Sequence, residues 1–150
     1  MKRGLDTNVL IYAHLPAFEV HGQVRRFLLE QLQTPDVTLV ITPSVLHEFI
    51  HVVTDTRRFE APLTTAEAAA VARLYLGKSN VDCLAPDGKI FLEALGLLER
   101  YDLGRRRIAD TLFAATLLHH GVQEVITCNP RDFDVFAGLT TIDPTVPSQD

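Results

Sequence analysis

Four widely spaced acidic residues, Asp6, Glu48, Asp110 and Asp132, have side chains and sequence positions that could build one site. Asp6 follows the first short run of the chain and precedes the dense apolar segment 9–13, so its neighbours carry it into the interior. An unpartnered carboxylate is costly to bury, so a buried Asp6 implies hydrogen bonds or a cation. A simple turn or capping role is the alternative for this residue.

Carboxylates that converge on one point would form a binding site for a cation. Several of them held together cannot all ionise unless a cation compensates their charge, and oxygen ligands of this kind suit Mg²⁺ or Mn²⁺. Such ions bridge a phosphodiester, activate a water for in-line attack and stabilise the leaving oxygen. Acids that converge would therefore predict a site for one or two hard divalent cations, and phosphodiester hydrolysis is a reaction that such a site could support.

A second motif competes for Glu48. Residues 47–51 read His-Glu-Phe-Ile-His, which matches HExxH, where two histidines one turn apart bind Zn²⁺ and the glutamate is the general base. A zinc protease would also need a third protein ligand and usually a longer chain, and it leaves the other three acids unexplained. We expect His47 and His51 to be helix-surface or packing residues, on a face turned about 100° from Glu48.

Hydrophobic patterning predicts strands alternating with helices. The segment 9–13 continues the first strand or forms a short helix, which Thr7 and Asn8 could cap. The predicted strands are 2–5, 37–41, 81–84, 124–128 and an edge strand 139–142, and the predicted helices cover 24–32, 42–53, 64–77, 86–98 and 108–118. This alternation is typical of an α/β sandwich around a parallel sheet.

The predicted elements explain how the acids could meet. Ligands bind beyond the carboxyl ends of parallel strands, near the switch in strand order. Each of the four acids follows a strand or lies early in a helix that we expect to follow one. Asp110, near the first turn of its helix, also has a purely structural explanation, because an acid there is favoured by the helix dipole.

Composition favours a single globular domain spanning residues 1–150, with a loose tail from about Pro144. The chain is 47% hydrophobic and 22% charged, and no apolar run approaches the roughly 20 residues that span a bilayer. We therefore expect a cytoplasmic protein without a membrane segment. Cys83 and Cys128 lack a CxxC partner and are predicted to be small buried residues with free thiols.

The net charge of −5 argues against nonspecific nucleic-acid binding through a broad basic surface. It does not exclude a nuclease, because a site that recruits cations supplies its own positive charge. Local basic groups at 25–26, 57–58 and 105–107 remain available, although each is by default a solvated face.

The ordered set of motifs resembles a known family, the PIN-domain ribonucleases, and most closely the VapC toxins of bacterial toxin–antitoxin pairs. The similarity covers nearly the whole chain in the right order and spacing. It rests on Leu5-Asp6-Thr7-Asn8, on Glu48, on 106–111 with 114–116, on 127–133 and on the closing segment 136–139.

The resemblance implies a PIN-like three-layer sandwich and a metal-dependent endoribonuclease. It maps a catalytic quartet onto Asp6, Glu48, Asp110 and Asp132, in which the three aspartates bind Mg²⁺ or Mn²⁺. Supporting roles fall to Thr7, Asn8, Thr111, Thr127 and Asn129. Asn129 either contacts the site directly or only holds the loop that carries Asp132.

The resemblance also implies partners: an RNA substrate, a small cognate antitoxin and a second copy in a homodimer. The leucine-rich helix from Ile90 to Leu98 has more apolar surface than one face can bury, which is consistent with an interface. Two alternatives stay open, a catalytically inactive PIN-like binding module and a phosphatase-like hydrolase with similar metal chemistry.

Overall fold

The computed structural model describes residues 1–147, which fold into five strands and six α-helices in an alternating order. In chain order they are β1 (Lys2–Leu5), α1 (Thr7–His14), α2 (His21–Gln33), β2 (Thr38–Ile41), α3 (Pro43–Val53), α4 (Thr65–Leu76), β3 (Val81–Cys83), α5 (Gly88–Tyr101), α6 (Ile108–His119), β4 (Glu124–Ile126) and β5 (Thr140–Ile142).

The strands form one sheet in the order β3-β2-β1-β4-β5, and every pairing between neighbours is parallel. The predicted parallel α/β architecture is therefore confirmed, with β5 at the edge as expected. β1 is central, with Gly4 opposite Val40 on one side and Val125 on the other. The chain first builds outward from β1 through β2 and β3, and then returns to the other side, so the switch in strand order lies at β1.

Helices cover the sheet in two groups. Helix α1 packs against α2 and α3, and α3 packs against α4, whereas α5 and α6 pack against each other. Leu117 of α6 lies directly on β1, because a Cβ added to Gly4 would stand 2.5 Å from Leu117 Cδ1. Gly4 thus allows the close approach of α6 to the central strand, and α6 is buried on the sheet as its apolar sequence predicts.

Local capping signals account for three of the helix starts. The Thr42 hydroxyl accepts the Val45 N–H at 3.3 Å, directly before Pro43 in the first turn of α3. The capping box predicted at the start of α4 is present, and the Asp87 carboxylate accepts an N–H at the start of α5.

Helix α1 begins earlier than predicted. Asp6 itself is the cap, since its Oδ1 accepts the Thr7 N–H at 2.8 Å and its backbone is extended, and the helix starts at Thr7 rather than Val9. The prediction that Thr7 and Asn8 cap this helix is therefore wrong. β1 ends only one residue before Asp6, so strand and helix meet directly at this carboxylate.

Smaller predictions have mixed outcomes. Both cysteines are free thiols, but Cys83 is exposed and Cys128 half-buried, because β3 lies at the sheet edge and Cys128 follows β4 in a loop. Pro144 is buried, and the Val146 N–H donates to the Asp143 carbonyl at 3.3 Å. The remainder of the expected loose tail, at 148–150, lies outside the described residues. Within 1–147, no helix is long and apolar enough to cross a membrane.

Candidate acidic active site

A cavity of about 250 Å³ opens beyond the carboxyl end of β1. Its lining includes Asp6, Glu48 and Asp110, together with Thr7 and His47. Three of the four predicted acids therefore share one cavity at the switch in strand order. The fourth, Asp132, is close enough that its charge raises the pKa values of Asp6 and Asp110.

Asp6 is the most constrained of these acids. It is only 8% exposed, and its second oxygen accepts the Thr127 hydroxyl at 2.8 Å, in addition to the bond from the Thr7 N–H. Burial nevertheless raises the pKa of Asp6 to about 6, and the charges of Glu48 and Asp132 add to this effect. Asp6 is thus both the cap of α1 and a carboxylate held at a site where its charge is unfavourable.

Asp110 lies in the first turn of α6 and is half-buried. Burial raises its pKa to about 7, with further increases from the carboxylates of Asp6 and Asp132 and a partial offset from the Arg107 guanidinium. Helix α6 follows α5 and a 3₁₀ turn, Arg105–Arg107, so the prediction that every acid-bearing helix follows a strand is wrong here. Asp110 reaches the site because α6 begins at this sheet edge and then leads into β4.

Asp132 is positioned by its own loop. It ends a 3₁₀ turn, Pro130–Asp132, and its Oδ2 accepts the Asn129 side-chain N–H at 2.9 Å. The Asn129 backbone N–H in turn donates to the Thr127 hydroxyl at 3.0 Å. Asn129 therefore orients the carboxylate and braces the loop at the same time.

The supporting residues fall into two groups. Thr127 and Asn8 connect the loop after β4 to α1, since the Thr127 hydroxyl also accepts the Asn8 amide at 3.4 Å and Asn8 Oδ1 accepts the Cys128 N–H at 3.1 Å. The Thr111 hydroxyl instead donates to the Arg107 carbonyl at 2.6 Å, within the start of α6. Thr111 is thus bonded to its own helix backbone rather than to one of the acids.

The HExxH histidines lie on α3, where both are exposed. His47 lines the acidic cavity beside Glu48, so the prediction that it faces away from the site is wrong. The reason is helical spacing: Ser44, His47 and Glu48 are three and four residues apart and share the face that borders the cavity. His51 lies a full turn further along the helix.

Sequence reasoning missed Arg107, which was grouped with its neighbours as a solvated face. Its side chain is half-buried, and its Nη2 donates to the Asp132 carbonyl at 2.6 Å. The sequence feature that could have identified Arg107 is its position three residues before Asp110, because this spacing places both side chains on one side of the start of α6. Arg107 therefore joins the segments that carry Asp110 and Asp132.

The donor set suits a hard divalent cation, because the converging side chains offer carboxylate oxygens and their mutual repulsion would be relieved by a positive charge. In the described residues, however, no three His, Cys, Asp or Glu side chains are close enough to hold a metal ion in this conformation. Asp6, Glu48 and Asp110 face a common cavity, with Asp132 nearby, but among the described residues they do not form a complete coordination shell. Within residues 1–147, no third metal ligand lies beside the HExxH pair either.

A parallel sheet with acids gathered beyond its central strand is the arrangement expected of a PIN domain, and the PIN domain family model matches residues 5–139. The chain belongs to this family. It is 30% identical over 139 residues to ribonuclease VapC33 of Mycobacterium tuberculosis (strain H37Rv), covering 93% of this chain and 95% of that protein.

Solved structures share the fold at lower identity. VapC20 of Mycobacterium tuberculosis, described as a sarcin-ricin loop cleaving toxin, matches with a TM-score of 0.64 and 19% identity over 83% of this chain and 87% of that one. VapBC2 from Rickettsia felis, bound to a promoter DNA fragment, matches with a TM-score of 0.65 and 18% identity over 95% and 98%. The resemblance drawn from the sequence motifs, and the PIN fold it implied, are confirmed.

Proposed function

We propose that this protein is a metal-dependent endoribonuclease that cuts RNA phosphodiester bonds at the acidic cavity and acts as the toxin of a type II toxin–antitoxin pair. The observation that carries the proposal is the convergence of Asp6, Glu48 and Asp110 at the end of the central strand, with Asp132 adjacent. Relatives such as the VapC33 ribonuclease, aligned over nearly the whole chain, support RNA as the substrate class.

In this proposal Asp6, Asp110 and Asp132 are the residues that would hold Mg²⁺ or Mn²⁺. The bound cation supplies Lewis acidity and neutralises charge on the phosphodiester. Asp6 is kept in place by the Thr7 N–H and the Thr127 hydroxyl, and Asp132 by Asn129, so two of the three ligands are preoriented by hydrogen bonds. Asp110 is placed by the first turn of α6.

Glu48 has the remaining role. Its exposed carboxylate borders the cavity from α3, and we assign it to accept the proton of the attacking water. The water oxygen then bonds to phosphorus, the bond from phosphorus to the leaving oxygen breaks, and that oxygen takes up a proton. One water is consumed for each RNA bond cut.

Expression without a partner tests the biological part of the proposal. Induction of the wild-type gene should arrest growth and fragment cellular RNA, whereas Asp110→Asn, which keeps the side-chain shape but removes its charge, should do neither. The variant must be shown to be folded by its melting curve. Equal arrest by wild type and folded Asp110→Asn would contradict the ribonuclease proposal.

Partners extend the proposal. We propose a small antitoxin encoded beside this gene, in line with the Klebsiella pneumoniae toxin–antitoxin complex that shares the fold. We also propose a homodimer through α5, because Phe91, Leu92 and Leu95 on that helix are 47%, 68% and 38% exposed. Leu92→Glu should then halve the mass measured by light scattering, and an unchanged mass would exclude α5 as the dimer interface.

The other candidate activities have less support. An HExxH zinc protease would need a third ligand for the pair His47 and His51, and the described residues offer none. A phosphomonoesterase would use the same acids, so it is separated by substrate: p-nitrophenyl phosphate should remain intact under conditions in which RNA is cut.

A further inference from the structure

Two short turns beside the acidic cavity carry an unusual concentration of arginine. Arg105, Arg106 and Arg107 form the 3₁₀ turn before α6, and Arg131 lies in the turn that ends at Asp132. The hydrogen bond from Arg107 Nη2 to the Asp132 carbonyl holds the two turns together. In a chain with a net charge of −5, four arginines are thereby gathered next to the site.

These arginines are not used by the fold as ion pairs. Within residues 1–147, the salt bridges involve other cations, and Arg105, Arg106 and Arg131 are exposed. Arg107 is half-buried, and its Nε is buried without a hydrogen-bond partner among the described atoms. Among the described residues, Arg107 alone of the four makes a side-chain hydrogen bond, and the exposed guanidinium groups of the other three make no salt bridge there.

The backbone at Arg105 gives an independent indication. Its φ is +48°, a left-handed conformation that costs free energy for any residue with a Cβ and that asparagine tolerates better than arginine. No side-chain hydrogen bond or salt bridge of Arg105 within residues 1–147 offsets this cost. An arginine at this position therefore does not serve the stability of the turn.

We propose that Arg105, Arg106 and Arg131 form a phosphate-binding rim that holds the RNA backbone beside the acidic cavity, with Arg107 as the internal clasp that keeps the two turns together. This proposal rests on the proposed ribonuclease function and names how its substrate is held. An acidic protein needs such a local rim, because carboxylates at the cavity repel a polyanion while guanidinium groups bind its phosphates in bidentate fashion.

The test is RNA binding without cleavage. A fluorescein-labelled, single-stranded RNA of mixed sequence is titrated with protein in EDTA, and anisotropy gives Kd at several salt concentrations. Arg106→Gln with Arg131→Gln should weaken binding at low salt by about tenfold and reduce the slope of log K against log salt by about 1.4, since each phosphate contact on a single strand contributes about 0.7.

A charge-matched control separates the rim from general electrostatics. Arg26 on α2 and Arg73 on α4 are also exposed, so Arg26→Gln with Arg73→Gln removes the same charge elsewhere and should leave the salt slope unchanged. If the two double variants changed RNA affinity and salt slope equally, or if neither changed them, the proposed phosphate-binding rim would be contradicted. Tighter binding of a polyglutamate peptide than of RNA would overturn it in favour of an acidic protein partner.

Arg105→Asn separates a loss of RNA binding from a loss of folding. Relief of the left-handed strain predicts a melting temperature at or above that of the wild type, together with weaker RNA binding. Unchanged RNA affinity in this variant would remove Arg105 from the rim. These results are distinct from failure of the ribonuclease proposal, which would appear as intact RNA after incubation of the wild type with Mn²⁺, whatever the binding data.

Discussion

The hydroxyl of Thr127 donates a 2.8 Å hydrogen bond to the buried carboxylate of Asp6, across 121 positions of sequence. This bond joins the ends of β1 and β4, which are neighbouring parallel strands of the sheet. It also lowers the pKa of Asp6, opposing the larger effect of burial. Thr127 therefore determines both where Asp6 stands and how readily it ionises.

Thr127→Val should destabilise the protein by about 2 kcal/mol at pH 8 in EDTA, because a hydrogen bond to an ionised acid is lost at nearly constant shape. The loss should be smaller at pH 5, where Asp6 is largely protonated. Thermal melts at both pH values measure it. Thr54→Val is the control, since that hydroxyl bonds only its own helix; a loss independent of pH in Thr127→Val would contradict the coupling to Asp6.

Asp6→Asn should raise stability at neutral pH in the absence of metal. The folded-state pKa is raised from 3.8 to about 6, so the folded protein binds protons more readily than the unfolded chain and loses stability as pH rises through this window. Above pH 6 the amide should melt about 3 °C or more higher than the wild type, and below pH 4 the advantage should vanish. A lower melting temperature at pH 8 would show that Asp6 stabilises the fold as a charge.

His14 gives a pH dependence of opposite sign. Burial lowers its pKa to about 4, and its Nε2 lies 2.9 Å from the Tyr75 hydroxyl. The unfolded chain therefore binds the proton more readily, and stability falls as pH drops from 6.5 towards 4. His14→Gln should flatten this acid limb in urea titrations, whereas an unchanged limb would mean that other groups cause it.

The two HExxH histidines separate the metal hypotheses. His51→Ala should retain most Mn²⁺-dependent RNA cleavage, because His51 lies a turn beyond the cavity. Neither His51→Ala nor His47→Ala should change the metal content of the protein. His47→Ala should retain cleavage within about tenfold, since His47 borders the cavity without a hydrogen bond to the acids in the described residues. Zinc found by elemental analysis in wild type and lost in both variants would favour the protease instead.

Much of the fold was predictable because its signals are local. β-branched runs marked the buried strands, and Thr42-Pro43 and Thr64 with Glu67 marked two helix starts that the structure confirms. The meeting of Asp6 and Glu48 was also predictable, since Asp6 follows β1, Glu48 lies on the helix after β2, and parallel strands bring their carboxyl ends to one edge. The strand-end argument does not cover Asp110, because α6 follows another helix.

What the sequence could not provide depends on contacts between distant residues. Arg107 meets the Asp132 carbonyl 25 positions away, so its role was invisible in the run of three arginines. The start of α1 was misplaced because an aspartate that caps a helix and an aspartate that binds a cation look alike in sequence; in the structure Asp6 is the cap. His47 was assigned to the wrong face because the cavity it borders is lined by residues of several helices, among them Asp110 on α6, which the sequence of α3 alone does not show.

We propose that the gathered acids and a hard divalent cation together cut RNA. The most direct test of this proposal is single-turnover cleavage of an end-labelled RNA by chelated protein, with Mg²⁺, Mn²⁺ or Zn²⁺ added back. We expect Mg²⁺ or Mn²⁺, but not Zn²⁺, to restore cleavage by the wild type and by His51→Ala. With the same ions, the cleavage rate should be about a thousandfold lower in Asp6→Asn, Asp110→Asn and Asp132→Asn. Cleavage that persists in the folded aspartate variants, or in EDTA, would contradict the acidic site as the catalytic centre.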